Sequence, residues 1–149
     1  MRERRASSPA VVALFALVLA AASVGCGAGG EGPPAIHRGS SCARCGMGIE
    51  DLKFAATRRS EAKWLAYDSI ECLIADRPGR AGGPAWLTDY ETKTLLPETA
   101  AWVLHGDFPS PMGGGLAAFA DRAAAESLAV PTHGAVTRLA DLSSAGSAP

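Results

Sequence analysis

Four residues of this chain place soft sulfur where it could do chemistry. Cys42, Cys45 and Met47 stand in SCARCGMG (41–48), and Met112 stands in SPMGGG (110–115). Thiolate and thioether sulfur are polarizable donors that select Cu(I) over hard cations such as Mg²⁺. Gly46 and Gly48 let the backbone curl, so the sulfurs of the first stretch can converge. With Met1 as initiator, Met47 and Met112 are the two remaining methionines, and each precedes a glycine. That pattern suggests two loops meeting at one soft-metal site. The competing reading of Met112 is a residue that fills a gap in the core.

The spacing alone leaves several chemistries open. A structural zinc site usually takes four Cys or His ligands, often as two paired clusters, and this chain has a single CxxC. A c-type haem needs CxxCH, but position 46 is Gly. A thioredoxin-like dithiol opens a helix within a βαβ unit, and no strand reads before Ser41. Metal binding, a redox dithiol and a structural disulfide therefore all stand. His105, at the end of a strand, is a possible additional metal ligand, with a solvated histidine as its default reading. His37 and His133 match no motif. Cys72 on a helix could pack as a small buried cysteine or face the metal, with packing the default reading.

These residues sit in a chain whose first segment sets the compartment. MRERR is a positive start, Ala10–Ala22 is an apolar run too short to span a bilayer, and SVGC follows. Residues 1–25 read as a secretory signal. Cys26 reads as the lipid attachment site of a lipobox that has Ser23 where Leu is usual. The expected location is the periplasmic face of a bacterial membrane, and Gly27 favours the outer one. Without residues 1–25 the chain carries 11 basic and 14 acidic residues, a net charge of −3. No basic stripe invites nucleic acid. With Cys26 lipidated, three cysteines remain, and an odd number argues against a full disulfide framework.

Residues 26–40, rich in Gly and Pro, read as a flexible tether, and 143–149 as a disordered tail. Between them, 41–142 reads as one folded domain of two similar halves, about 41–80 and 84–142. KFAATRR and AKWLAYD predict a hairpin. A helix follows, with Asp68 as N-cap and Glu71 closing a capping box. AWLTDYET, TLLPE and AAWVLHG are strand candidates. SPMGGGLAAFADRAAAESLA predicts a longer helix with Ser110 as N-cap and Pro111 in the first turn, and GAVTRLADL a closing strand. The class is α+β, with small sheets covered by helices.

The ordered set CxxCGM, FAA, YDSIECL, W-x-x-DY-x-T and SPMG-x-G, over residues 42–141, resembles the NosL family of lipoproteins, accessory to nitrous oxide reductase. The resemblance implies two ββαβ-type half-domains related to part of the organomercurial lyase fold. It implies a non-enzymatic copper chaperone that binds Cu(I) and passes it on in the periplasm. The implied partners are an ABC-type copper-site assembly complex or an apo copper enzyme, besides the lipid membrane reached through Cys26. Carried over by motif, the metal ligands are Cys42, Cys45, Met47 and Met112. The alternative from the residues alone is a thiol–disulfide redox lipoprotein, with Cys42 attacking and Cys45 resolving.

Overall fold

The computed structural model describes residues 32–61, 63–76 and 83–145. The signal and lipid-site readings, the start of the tether and residues 62, 77–82 and 146–149 lie outside the described residues.

The predicted first hairpin forms. β1 (Ala56–Arg59) pairs antiparallel with β2 (Trp64–Tyr67), setting Ala56 opposite Tyr67. Two residues later the chain enters α1 (Ile70–Ala75), which buries Ile70 and Leu73. The chain returns as β3 (Ala85–Thr88) on the other edge of β1, and β4 (Leu95–Pro97) adds to β3. The sheet order is β2-β1-β3-β4.

The second half repeats this plan. β5 (Trp102–His105) pairs with β6 (Leu116–Phe119), two residues lead to α2 (Arg122–Ala129), and β7 (Ala135–Thr137) returns on the other edge of β5. The order β6-β5-β7 reproduces β2-β1-β3. A short helix, α3 (Leu139–Ala145), follows. The fold is therefore α+β with two small antiparallel sheets, as expected.

Four expectations need correction. First, the boundary between halves does not fall at 80–84. β3 and β4 complete the first sheet, because the free edge of β1 needs hydrogen-bond partners. Second, LAAF is a strand and not the body of a helix. Leu116 and Ala118 join the core shared with the first half, while Ala117 and Phe119 join the cluster under α2. A strand buried on both faces loses its alternation and cannot be told from a helix by pattern. The helix starts later, capped by Asp121, whose carboxylate accepts from the Ala123 N–H at 2.9 Å. The true internal match therefore sets Tyr67-Asp68-Ser69-Ile70 beside Phe119-Ala120-Asp121-Arg122. Third, Gly39 and Ser40 belong to the folded part, since Gly39 N–H donates to Ile49 and Ile49 N–H to Ser40. Fourth, 143–145 lie in α3 and not in a tail.

One continuous core joins the halves, with Tyr67, Leu73 and Leu87 packed alongside Val103, Leu116 and Ala118. The seam also carries a polar clamp. Asp89 forms an isolated parallel bridge with Ala118, and Tyr90 N–H donates to the Ala118 carbonyl at 2.7 Å. The buried Asp89 carboxylate accepts from Glu91 N–H (3.1 Å), Thr92 N–H (2.7 Å) and the Thr92 hydroxyl (2.9 Å) in its own turn. Its other oxygen accepts from Ala120 N–H (2.7 Å), across the seam. Burial alone would push the carboxyl up, but donation from Thr92, Ala120 and Glu91 together holds it below the ordinary value of 3.8.

A depressed folded pKa adds stability above the unfolded value, and that stability is lost as pH falls through the folded value. Asp89→Asn turns an amide N–H₂ toward a backbone donor. It should lower stability by about 1–3 kcal/mol at neutral pH, with the deficit shrinking as pH falls below about 4. Urea melts of both proteins across pH check this. A deficit that stays constant with pH would contradict the clamp.

Candidate metal centre

The CxxCGM stretch is a tight, pinned turn. Cys42 N–H donates to the Met47 carbonyl at 2.8 Å and Gly46 N–H to the Cys42 carbonyl at 2.9 Å. Ser41 and Gly48 form a bridge outside them. Gly46 sits at φ +79, a left-handed conformation that a residue with a Cβ adopts at a cost. Ala43 N–H donates to the Ala66 carbonyl at 2.8 Å, fastening the turn to β2.

The next donors come from the junction of β2 and α1. The predicted cap at Asp68 is displaced by one residue: Ser69 is the N-cap, its hydroxyl accepting from Cys72 N–H at 3.2 Å. That frees the Asp68 carboxylate to point elsewhere and places Cys72 in the first turn. Tyr67 OH donates to Asp76 at 2.8 Å, tying the far end of α1 to β2. The outcome is a cluster of Cys42, Cys45, Asp68 and Cys72, whose ligand atoms all lie within 4.8 Å of one another. Cys45 Sγ lies 4.0 Å from Asp68 Oδ2. Asp68 Oδ1 is buried without a hydrogen-bond partner among the described residues. A buried carboxylate oxygen left unpaired is costly and calls for a cation or a proton.

The thiols differ sharply in exposure. Cys42 is 2% and Cys72 3% exposed, whereas Cys45 is open to solvent, and all three are free. Burial pushes the Cys42 thiol up, an effect partly offset by backbone hydrogen bonds from Cys45, Asp68 and Arg44. Burial pushes Cys72 up further, aided by its hydrogen bond to Asp68 and by the nearby Cys42. Metal binding at these sulfurs must therefore displace protons. The exposure pattern also corrects the redox alternative, because a thiol that attacks from solvent would be Cys45, with Cys42 behind it.

Of the four residues matched by motif, the structure joins Cys42 and Cys45 directly. Met112 lines a cavity with Cys45, Cys72, Arg44 and Glu71. Met47 lines a second cavity with Asp68, Phe54 and Ser110. Both methionines are substantially exposed, 49% for Met47 and 44% for Met112, which is unusual for large apolar side chains in so small a domain. His105 lies on the exposed end of β5, outside the cluster, and no histidine joins it among the described residues. His133 lies 3.9 Å from Asp107 and is also solvent-exposed. Cys72 and Asp68 are the residues that sequence reading missed. Their i, i+4 spacing around an N-cap was the available signal, since it brings both to one side of the first helical turn.

The SPMGGG loop reaches this site through Glu71. Its Oε1 accepts from the Ser110 hydroxyl at 2.9 Å and from Leu116 N–H at 3.4 Å. The Ser110 hydroxyl in turn accepts from Gly115 N–H at 2.9 Å. The predicted helix-capping roles of Glu71 and Ser110 are thus replaced by a tie between the two halves.

A small α+β domain of paired half-domains that gathers three thiols and a carboxylate, with two exposed methionines in adjoining cavities, has a donor set that could hold a soft metal. The NosL family profile matches residues 33–146, and the chain belongs to the NosL family. In fold it is similar to the crystal structure of the copper chaperone NosL from Shewanella denitrificans, at 18% identity and a TM-score of 0.64. The match covers 72% of this chain and 92% of that one. No curated protein sequence matches.

Gly115 tests the loop's role. It sits at φ +63, and a Cβ there would collide with the Gly106 carbonyl oxygen. Gly115→Ala should destabilise the fold by more than about 1 kcal/mol and displace Met112. Thermal melts, with heteronuclear NMR shifts of Met112 and Cys45, report both effects. Unchanged melting and unchanged shifts would show that the loop does not need this backbone.

Proposed function

We propose that this protein is a Cu(I)-binding metallochaperone, a carrier and not a catalyst. The observation that carries this reading is the convergence of three sulfurs and one carboxylate within 4.8 Å, open on the Cys45 side to a cavity lined by Met112. Soft thiolates hold Cu(I) tightly, and neutral thioethers hold it weakly enough to let it go. Cys42, Cys45, Met47 and Met112 remain the proposed motif ligands. Exchange with a partner's Met, His or Cys would proceed one donor at a time, and an open site favours it because no closed ligand cage must first break. Family membership and the copper chaperone of like fold support the same reading.

The finer reading follows the family. Copper would be supplied for maturation of nitrous oxide reductase or a related copper enzyme, through an ABC-type assembly complex or the apo enzyme itself. The chain would be held at the periplasmic face of a bacterial membrane, the outer one favoured, by a lipid on Cys26. No described helix is long and apolar enough to cross a membrane, so a tether of that kind would be what keeps the domain there.

Titration of the reduced protein with Cu(I) against a chromophoric chelator, under anaerobic conditions, tests the carrier reading. One tightly held equivalent is expected. Cys45→Ser should weaken binding by at least about 10-fold, and each Met→Leu change at Met47 or Met112 by a smaller factor, within the range that ligand-sphere changes cause. Failure of the wild-type protein to compete for Cu(I) ends the copper reading and leaves the Cys45–Cys42 dithiol as the alternative.

The tether has its own readout. Cys26→Ser should move the protein from the membrane fraction to the soluble periplasmic fraction of the cells that express it, without changing its Cu(I) affinity after purification. Retention in the membrane fraction would argue against lipid attachment at Cys26.

A further inference from the structure

Burial divides the sulfur donors of this site into two groups. Cys42 and Cys72 are 2% and 3% exposed, while Cys45 is exposed and Met112 is 44% exposed. Cys45 links the two groups. Its Sγ lies within 4.8 Å of the Cys42 and Cys72 sulfurs, and it shares a cavity with Met112. We propose that the protein holds Cu(I) at two successive stations: an inner one between Cys42 and Cys72, beside Asp68, and an outer one at Cys45 and Met112. The proposal rests on the copper reading above and adds Cys72, which no family motif contributed as a ligand.

Two observations support the inner station. The first is spacing. A thiolate–metal bond of about 2.3 Å places two sulfurs about 4.6 Å apart across a two-coordinate ion, and the cluster's ligand atoms lie within 4.8 Å of one another. The two buried sulfurs are thus near enough for one ion to bridge them. The second is Asp68. It is 3% exposed, and its Oδ1 has no hydrogen-bond partner among the described residues. A cation among the sulfurs would offset the cost of burying that oxygen.

The outer station has the opposite character. Cys45 and Met112 face solvent, where a partner's donor can reach the ion. Cys72 lines the same cavity, so the two stations adjoin. Transfer between them is a ligand exchange with no change of oxidation state. As the Cys45 thiol gives up its proton and bonds to Cu(I), a bond to Cys42 or Cys72 breaks, and the released thiolate takes up that proton. Met112 then bonds as the second inner sulfur leaves and takes a proton from solvent. The inner station retains the ion against loss, and the outer one presents it.

The test compares equilibrium affinity with release rate, using Cu(I) alone as the probe, the full-length reduced protein and a chromophoric Cu(I) chelator. Cys45→Ser alters an exposed residue and should leave the fold intact. It should still hold one Cu(I), weakened by about 10-fold or more, with two sulfurs about 2.2–2.3 Å from copper by X-ray absorption. Cys72→Ser should also weaken binding by about 10-fold or more and should speed release to the chelator. Met112→Leu should slow release about 5-fold or more with less than about a 3-fold change in affinity, because it touches only the exit. A native thermal melt of each apo variant checks folding. Complete loss of Cu(I) binding in folded Cys45→Ser overturns the inner station, as does wild-type affinity and release in folded Cys72→Ser. In both cases wild-type binding keeps the carrier reading intact. A wild-type protein that binds no Cu(I) overturns both.

Discussion

The site depends on one carboxylate that belongs to neither of its metal-facing groups. Glu71, on α1 of the first half, accepts hydrogen bonds from Ser110 and Leu116 of the second. That tie sets the loop that carries Met112 against α1, beside the CxxCGM turn. The residue beyond Glu71 is Cys72, so the same helical turn that anchors the second half also supplies a buried sulfur. Asp89 performs the matching task farther along the seam, holding Ala120 and the turn at 91–92 together. Two carboxylates that accept from backbone N–H and hydroxyl donors thus align the halves. Such bonds are directional, whereas the apolar core between the sheets fixes proximity more than register.

The duplicated topology explains the asymmetry of the site. Each half runs strand, strand, helix, strand, with a two-residue turn between second strand and helix. In the first half that turn is Asp68-Ser69, and in the second it is Ala120-Asp121. The cap therefore moves: Ser69 caps α1, which releases Asp68 toward the sulfurs, while Asp121 caps α2 and Ala120 offers only its N–H to Asp89. The same local fold thus yields a ligand-bearing corner in one half and a structural joint in the other. Exposure completes the division: Cys42 and Cys72 are buried, while Cys45, Met47 and Met112 are exposed.

Much of the fold was legible from local pattern. The short apolar-containing runs KFAATRR and AKWLAYD, the polar break between them and the polar residues before IECLIA marked a hairpin and a helix. LAAF defeated the same logic because both of its faces are buried, and its neighbours Pro111 and Gly113–Gly115 form a loop whose start mimics a helix cap. The seam was misplaced for a related reason. Strand pairing is a non-local choice, and nothing in the sequence of β3 and β4 states that β1 has an edge to fill.

By itself the sequence determined the donor types and half of their arrangement. CxxCGM and SPMGGG identified soft sulfur, two glycine-rich turns and a resemblance to NosL proteins, because ligand chemistry and short-range backbone freedom are local properties. Tertiary structure alone decided that Cys72 and Asp68 join Cys42 and Cys45, that His105 stays outside, and that Met47 and Met112 line separate cavities. Those outcomes depend on where β2 ends, which residue caps α1 and how the second half is tied to Glu71. Burial, and with it the protonation and exposure of each thiol, is set by residues far away in the chain, so the spacing of CxxC could not reveal which sulfur faces inward.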